Sequence, residues 1–142
     1  MEFVEIYFAL NYFFITVRFL IMAEMKRDSY EKAQKAFKAA TDAKSTSIIK
    51  WKPNFDVAIT EYEKAANLYR LAGMPNDSIK SYQLAAECCE FRALPMRATE
   101  LYYKAASLAR DEKKMEAAAD FFSKAAMGMF NIITVDSFDY VL

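Results

Sequence analysis

The two cysteines, Cys88 and Cys89, are the side chains in this sequence best suited to covalent or metal chemistry. They are adjacent, so on a helix they point about 100° apart and do not face each other. This spacing matches neither a CxxC redox motif nor a set of zinc ligands. The pattern is typical of small buried hydrophobic residues in a reducing compartment.

The chain contains no histidine. This excludes His-dependent acid–base catalysis, Ser-His-Asp and Cys-His nucleophiles and His-ligated zinc. No nucleophile–base pair, phosphate-binding loop or metal cluster is recognisable either. We therefore expect no catalytic residue, no cofactor, no metal site and no small-molecule substrate, and we predict that the protein is not an enzyme.

The composition fits one globular domain with no overall charge. Lys+Arg and Asp+Glu number 19 each, so no net field attracts nucleic acid, and we expect no nucleic-acid partner. Hydrophobic residues make up 55% of the 142 residues, while only 2 Gly and 3 Pro are present. So few turn formers argue against a sandwich or barrel of many short strands.

One pattern of small and aromatic residues recurs every 20 residues. The four copies are Tyr62, Ala65, Ala66, Tyr69; Tyr82, Ala85, Ala86, Cys89; Tyr102, Ala105, Ala106, Ala109; and Phe122, Ala125, Ala126, Met129. The i, i+3, i+4, i+7 spacing forms one apolar stripe on a helix. Twenty residues rotate that stripe by about 200°, so a single helix would put successive stripes on nearly opposite faces. The chain must therefore reverse between copies.

Turn-forming residues stand where these reversals are needed. Gly73 and Pro75 separate the first two copies, Pro95 opens the third, and the polar residues 111–114 precede the fourth. An earlier helix is expected at about residues 24–44. We predict an all-α, tetratricopeptide-like right-handed solenoid of antiparallel helices, with about five helices plus an apolar N-terminal helix. An ordinary helical bundle is the alternative. Solenoids of this kind generally bind other proteins.

Residues 3–23 are aromatic-rich and carry only two charges. A secretory signal peptide is disfavoured by Glu2 and Glu5 and by the lack of a small-x-small cleavage site. A membrane-spanning helix fits the length, and Lys26 and Arg27 behind it would keep the rest of the chain cytoplasmic. A third interpretation is a gene-model extension that does not belong to the folded domain.

These features divide the chain into an apolar extension at 1–22, a helical-repeat domain at 23–130 and a divergent tail at 131–142. The tail lacks the small-residue register, which suggests a truncated product or a mispredicted exon. An incomplete solenoid would leave an apolar face exposed on its last helix.

Residues 50–73 read KWKPNFDVAITEYEKAANLYRLAG, a Lys-Trp-Lys-Pro loop that opens into a Tyr…Lys-Ala-Ala helix. Together with the 20-residue register, over about residues 23–130, this loop resembles the N-terminal half of the gamma branch of the soluble NSF attachment proteins (SNAPs). Members of that family are considerably longer, and their C-terminal half carries the contact that stimulates the ATPase NSF.

The resemblance implies an adaptor in intracellular vesicle trafficking, including ER–Golgi transport. Family members bind assembled SNARE proteins, bundles of the syntaxin type, and recruit NSF, which takes the bundle apart after membrane fusion. The resemblance also implies a cytoplasmic protein held peripherally on the cytosolic face of membranes.

In the family, the loop between the first two helices touches the membrane surface. The matching residues here are Ile48, Ile49, Lys50, Trp51 and Lys52. Tryptophan favours the membrane interface, and neighbouring lysines are attracted to anionic headgroups. Alternatively, Trp51 and Phe55 fold back onto the next helix as a hydrophobic staple.

The candidates for SNARE contact are Lys64, Lys104, Lys124, Arg92 and Arg97. The three lysines share one register position, just before the Ala-Ala pair, and Leu84 interrupts their series. A row of positive charge would complement an acidic coiled-coil surface. Alternatively, these lysines only solvate the outer face.

Two other functions stay open. One is a generic helical-repeat scaffold with unrelated protein partners. The other is a single-pass, membrane-anchored helical protein held by residues 3–23.

Overall fold

The computed structural model describes residues 2–45 and 52–139, with side chains to residue 134. Its helices are α1 (Glu2–Lys44), α2 (Phe55–Leu71), α3 (Pro75–Phe91), α4 (Pro95–Asp111) and α5 (Met115–Asp139). The extensive interfaces are all between helices adjacent in sequence. The predicted all-α solenoid of antiparallel helices is therefore confirmed. We call residues 26–139 the stack.

The 20-residue period has a simple structural origin. Helices α2, α3 and α4 each contain 17 residues, and three residues separate each of them from the next helix. In the turns at 72–74, 92–94 and 112–114, the third residue donates its backbone N–H to a carbonyl five residues earlier, at 2.8–2.9 Å. This bond satisfies a carbonyl that the end of the helix leaves without a partner.

The middle residue of each turn has a left-handed backbone. Its φ is 77° at Gly73, 54° at Ala93 and 59° at Lys113. Only the first of these is a glycine, the residue that adopts this conformation without steric cost. Pro75 and Pro95 each occupy the first helical turn, where the missing N–H leaves nothing unsatisfied.

The small residues of the repeat form the core, as predicted. Ala65, Ala85, Ala105 and Ala125 are all buried, at no more than 3% exposure. The second alanine of each copy is also fully buried in α2, α3 and α4. Ala126 of α5 is exposed, because no later helix of the described chain packs against it.

Helix α1 differs from the expected organisation. The apolar N-terminal segment and the helix expected at residues 24–44 form one 43-residue helix instead of two elements. No glycine or proline interrupts this range, so nothing in it favours a break. Only the C-terminal half packs on the rest of the stack, where Ala33, Ala36, Ala40 and Ala43 are buried.

The boundary expected at residue 130 also falls inside a helix. Helix α5 continues through it to Asp139, eight residues longer than each of the 17-residue helices. The loss of the small-residue register there does not end the helix, because register governs packing against a neighbour and not helix formation itself.

Candidate protein-binding surface

Glu63 of α2 joins two helices that are not adjacent in sequence. One of its carboxylate oxygens accepts from Arg97 at 3.1 Å, and the other accepts from Lys104 at 3.1 Å, both on α4. Lys104 also contacts Glu100, with 2.9 Å between Nζ and Oε1. Helices α2 and α4 therefore lie side by side in one layer and run in the same direction, with α3 packed against both. We call the solvent-exposed surface of these two helices the α2–α4 face.

The charges of this cluster stabilise one another. Partial burial acts to raise the pKa of Glu63, but hydrogen bonds from Lys104 and Arg97 outweigh it and lower the pKa below its ordinary value. Burial acts to lower the pKa of Lys104, yet hydrogen bonds to Glu100 and Glu63 raise it. Each group therefore remains ionised over a wider pH range than it would in water.

The three lysines that share a register position have different environments. Lys64 is the most exposed, and its Nζ lies 3.8 Å from a carboxylate oxygen of Glu61. Lys104 is half-buried against Glu63. Lys124 lies 3.0 Å from Asp120 and above the Tyr102 ring, 5.7 Å from its centroid. The shared register position does not give the three lysines the same environment, because the contacts of each lysine depend on the side chains around it on its own and the flanking helices.

Arg92 and Arg97 lie at the α3–α4 turn but have different partners. Arg92 donates to both carboxylate oxygens of Asp56, at 2.9 and 3.1 Å, and so closes the end of the α2–α3 hairpin. Phe55 stacks on Phe91 beside this pair, with 5.3 Å between ring centroids. The structure brings Arg97 together with Lys104 on Glu63, and it places Arg92 at the edge of the stack.

Most of the predicted membrane loop lies outside the described residues. This applies to Ile48, Ile49, Lys50 and Trp51, whereas Lys52 is exposed. Hydrogen bonds hold the described ends of the loop. The backbone N–H of Asn54 donates to the Ala43 carbonyl at 2.8 Å, and the Asn54 side chain accepts from the N–H of Val57 and caps α2. The membrane contact stays a prediction.

A close contact between α4 and α5 was not expected from the sequence. Gly128 faces Thr99, and a Cβ at position 128 would lie closer to Thr99 Oγ1 than van der Waals contact permits. The Thr99 hydroxyl is buried and has no hydrogen-bond partner among the described residues. A glycine inside a helical pattern was the available signal, because such a glycine usually has a packing reason.

The same two helices form a groove that the sequence did not reveal. It has a volume of about 560 Å³ and a mostly apolar lining that includes Met96, Tyr103, Met129 and Ile133. The outer face of α5 is exposed and apolar as well, at Met127 and Phe130 among others. Helix α5 therefore has the exposed apolar face that was expected on the last helix.

Cys88 and Cys89 are fully buried and reduced. Burial raises the pKa of both thiols, that of Cys89 to about 11. A raised pKa keeps a thiol protonated and unreactive. In the described part of the chain, no group of three or more histidine, cysteine or acidic side chains is arranged to hold a metal ion.

Comparisons with models of known protein families and with curated proteins find no match for this chain.

Proposed function

We propose that this chain is a SNAP-like adaptor of vesicle trafficking, which binds assembled SNARE bundles and recruits NSF for their disassembly on the cytosolic face of membranes. The observation that supports this most is the regular stack of 17-residue helices, which forms an extended side surface instead of a cleft. A rod-like bundle of helices is a partner that such a surface can follow along its length. The Lys-Trp-Lys-Pro sequence between α1 and α2 supports the same proposal.

The α2–α4 face is the surface that we assign to the bundle. Lys64, Arg97 and Lys104 lie there, with side chains 61%, 49% and 37% exposed. An acidic bundle surface would attract these cations and compete with Glu61, Glu63 and Glu100 for them. Lys64 has the greatest exposure and the longest ion-pair distance, so we expect it to contribute most.

Retention of the full chain, in mild detergent, on an immobilised SNARE bundle tests the proposal. Lys64→Glu reverses a charge on the α2–α4 face, while Lys80→Glu reverses the charge of another exposed lysine on α3. We expect Lys64→Glu to reduce retention about 5- to 10-fold, as the loss of roughly 1–1.4 kcal/mol would, and Lys80→Glu to leave it unchanged. Addition of NSF and ATP should then disassemble the immobilised SNARE bundle and release the bound chain. Equal loss in the two variants would contradict the assignment of the α2–α4 face.

A generic scaffold with unrelated protein partners is the second candidate. One observation favours it: all five basic candidates lie within 4 Å of a carboxylate, so their charge is already compensated. The same binding experiment separates the two candidates. No retention of the unsubstituted chain would reject the SNAP-like function and leave the scaffold.

A further inference from the structure

The apolar half of α1 is exposed on every side. The consecutive residues Phe13, Phe14 and Ile15 are 63%, 63% and 62% exposed, although their side chains point about 100° apart around the helix. Such a helix has no polar face for water. A helix that is hydrophobic on all sides needs an apolar environment on all sides. The core of a large protein and the interior of a membrane are the two such environments. The described residues of the stack cover none of this segment.

Lipid hydrocarbon fits the length and the chemistry of this segment. Residues 3–23 extend about 30 Å as a helix, the thickness of the hydrocarbon core of a bilayer. Among the described residues, α1 is the one helix long and apolar enough to cross a membrane, a test that a signal sequence also passes. The Thr16 hydroxyl donates to the Tyr12 carbonyl at 2.7 Å, so it is satisfied without water. Arg18 is close enough to one end for its long side chain to reach the interface.

We propose that residues 3–23 cross a lipid bilayer and hold the stack upright on it, with the turns at 72–74 and 112–114 at the membrane surface. This placement differs from the peripheral attachment that the family resemblance implies. It does not depend on which protein the α2–α4 face binds.

The upright orientation follows from the continuity of α1. No glycine or proline lies between Glu2 and Lys44 to act as a hinge. The junction is reinforced by two ion pairs within the helix, Arg27–Glu24 and Lys32–Asp28, each at 2.6 Å. The direction of the helix in the bilayer therefore sets the direction of the stack.

Contacts between helices identify the end that faces the membrane. A Cβ at Gly73, in the α2–α3 turn, would lie 3.9 Å from Lys26 Nζ, only three residues beyond the apolar segment. The Lys114 ammonium contacts Asn76 at the start of α3, which brings the α4–α5 turn to the same end. The cations at this end are Lys26, Arg27, Arg70, Arg110, Lys113 and Lys114. Cations behind a spanning helix favour the cytosolic side of the membrane.

The loop after α1 lies at the opposite end. Ser45 is about 32 Å from Glu24 along the helix, and the hydrogen bond from Asn54 to Ala43 ties both ends of the loop there. The described ends of the loop, Ser45 and Asn54, therefore lie at the end of the stack away from the bilayer that holds α1.

Alkaline carbonate extraction tests the spanning helix. The full chain is translated with microsomes, and the expected result is an uncleaved chain that stays in the membrane pellet. Leu10→Asp/Phe14→Asp places two charges in the proposed span and should move most of the chain to the supernatant. Lys35→Asp/Lys38→Asp changes exposed positions of the same helix outside the span and should not. Release of the unsubstituted chain would overturn the proposal, and so would a shortened, cleaved chain.

A matched pair of labels tests the orientation. Met115 and Met96 are both exposed and both lie in the first turn of a helix, but at opposite ends of the stack. Met115→Cys and Met96→Cys are labelled with a fluorophore and reconstituted in phosphatidylcholine–phosphatidylserine vesicles that carry a headgroup quencher. We expect at least two-fold stronger quenching at position 115. Equal quenching, or stronger quenching at 96, would overturn the upright placement. The unsubstituted chain, whose cysteines are buried, measures background labelling.

Discussion

Glu63 shows how one side chain can join two helices that the chain separates by an entire helix. Its two carboxylate oxygens accept from different residues of α4, Arg97 and Lys104, and its side chain is only 24% exposed. Breaking such a cluster leaves partly buried donors without their acceptor, which costs more than losing an exposed ion pair. The lowered pKa of Glu63 reports this stabilisation.

We expect Glu63→Gln to reduce the free energy of unfolding by about 1–2 kcal/mol at neutral pH. Because the folded-state pKa is lowered, the charged form stabilises the fold above about pH 4.3, the pKa of Glu in an unfolded chain. This contribution is lost as the pH falls through the lower folded-state pKa. Urea unfolding of both proteins at neutral and acidic pH measures it. If the difference in the free energy of unfolding between the two proteins did not decrease at acidic pH, this would contradict the role of the Glu63 charge.

The turns explain how the elements acquire their spacing. A 17-residue helix and a three-residue turn with a left-handed middle residue together make one 20-residue unit. The first reversal was predictable from Gly73 and Pro75, because those residues favour turns by themselves. The left-handed conformations of Ala93 and Lys113 were not predictable from residue type, since the hydrogen bonds of the turn impose them.

Glycine should therefore stabilise the second and third turns. We expect Ala93→Gly and Lys113→Gly each to raise the free energy of unfolding by about 0.5–1 kcal/mol, because glycine removes the Cβ strain of a left-handed residue. This corresponds to an increase in Tm of about 2–4 °C. Gly73→Ala, in the equivalent position of the first turn, is the matched control and should lower Tm. A lower Tm for both glycine variants would contradict this account of the turns.

The contact of Gly128 with Thr99 allows α5 to approach α4. We expect Gly128→Ala to lower the free energy of unfolding by about 1–3 kcal/mol, because the new methyl group overlaps the Thr99 hydroxyl. With Thr99→Ala in place the overlap disappears. Alanine at 128 should then stabilise the protein by up to about 1 kcal/mol, as it does in an unhindered helix.

Thermal unfolding of the two single variants and the double variant measures whether alanine at position 128 changes from destabilising to stabilising. If Gly128→Ala had the same effect with and without the Thr99 hydroxyl, the close contact would not be the reason for the glycine. This contact was not predictable from the sequence, since it depends on how far α5 approaches α4.

At the scale of the whole molecule, the repeat predicted the antiparallel stack because its phase does not permit one continuous helix. The continuity of α1 was not predicted, because composition changes at residue 24 while helix propensity does not. The environments of Lys64, Lys104 and Lys124 were not predicted either, since they depend on the flanking helices and not on register. The charge compensation of the α2–α4 face is visible only after the helices are placed.

The central claim is that the chain reverses at each turn, so that α2 and α4 lie side by side and form the proposed binding face. A short bismaleimide crosslink between Glu63→Cys and Lys104→Cys tests it most directly, because 41 residues of continuous helix would hold these positions about 60 Å apart. We predict an intrachain crosslink in this variant, detected by gel mobility and peptide mass. Glu63→Cys/Lys80→Cys, with its second cysteine on α3, is the control and should crosslink poorly. Absence of the crosslink between positions 63 and 104 would contradict the account.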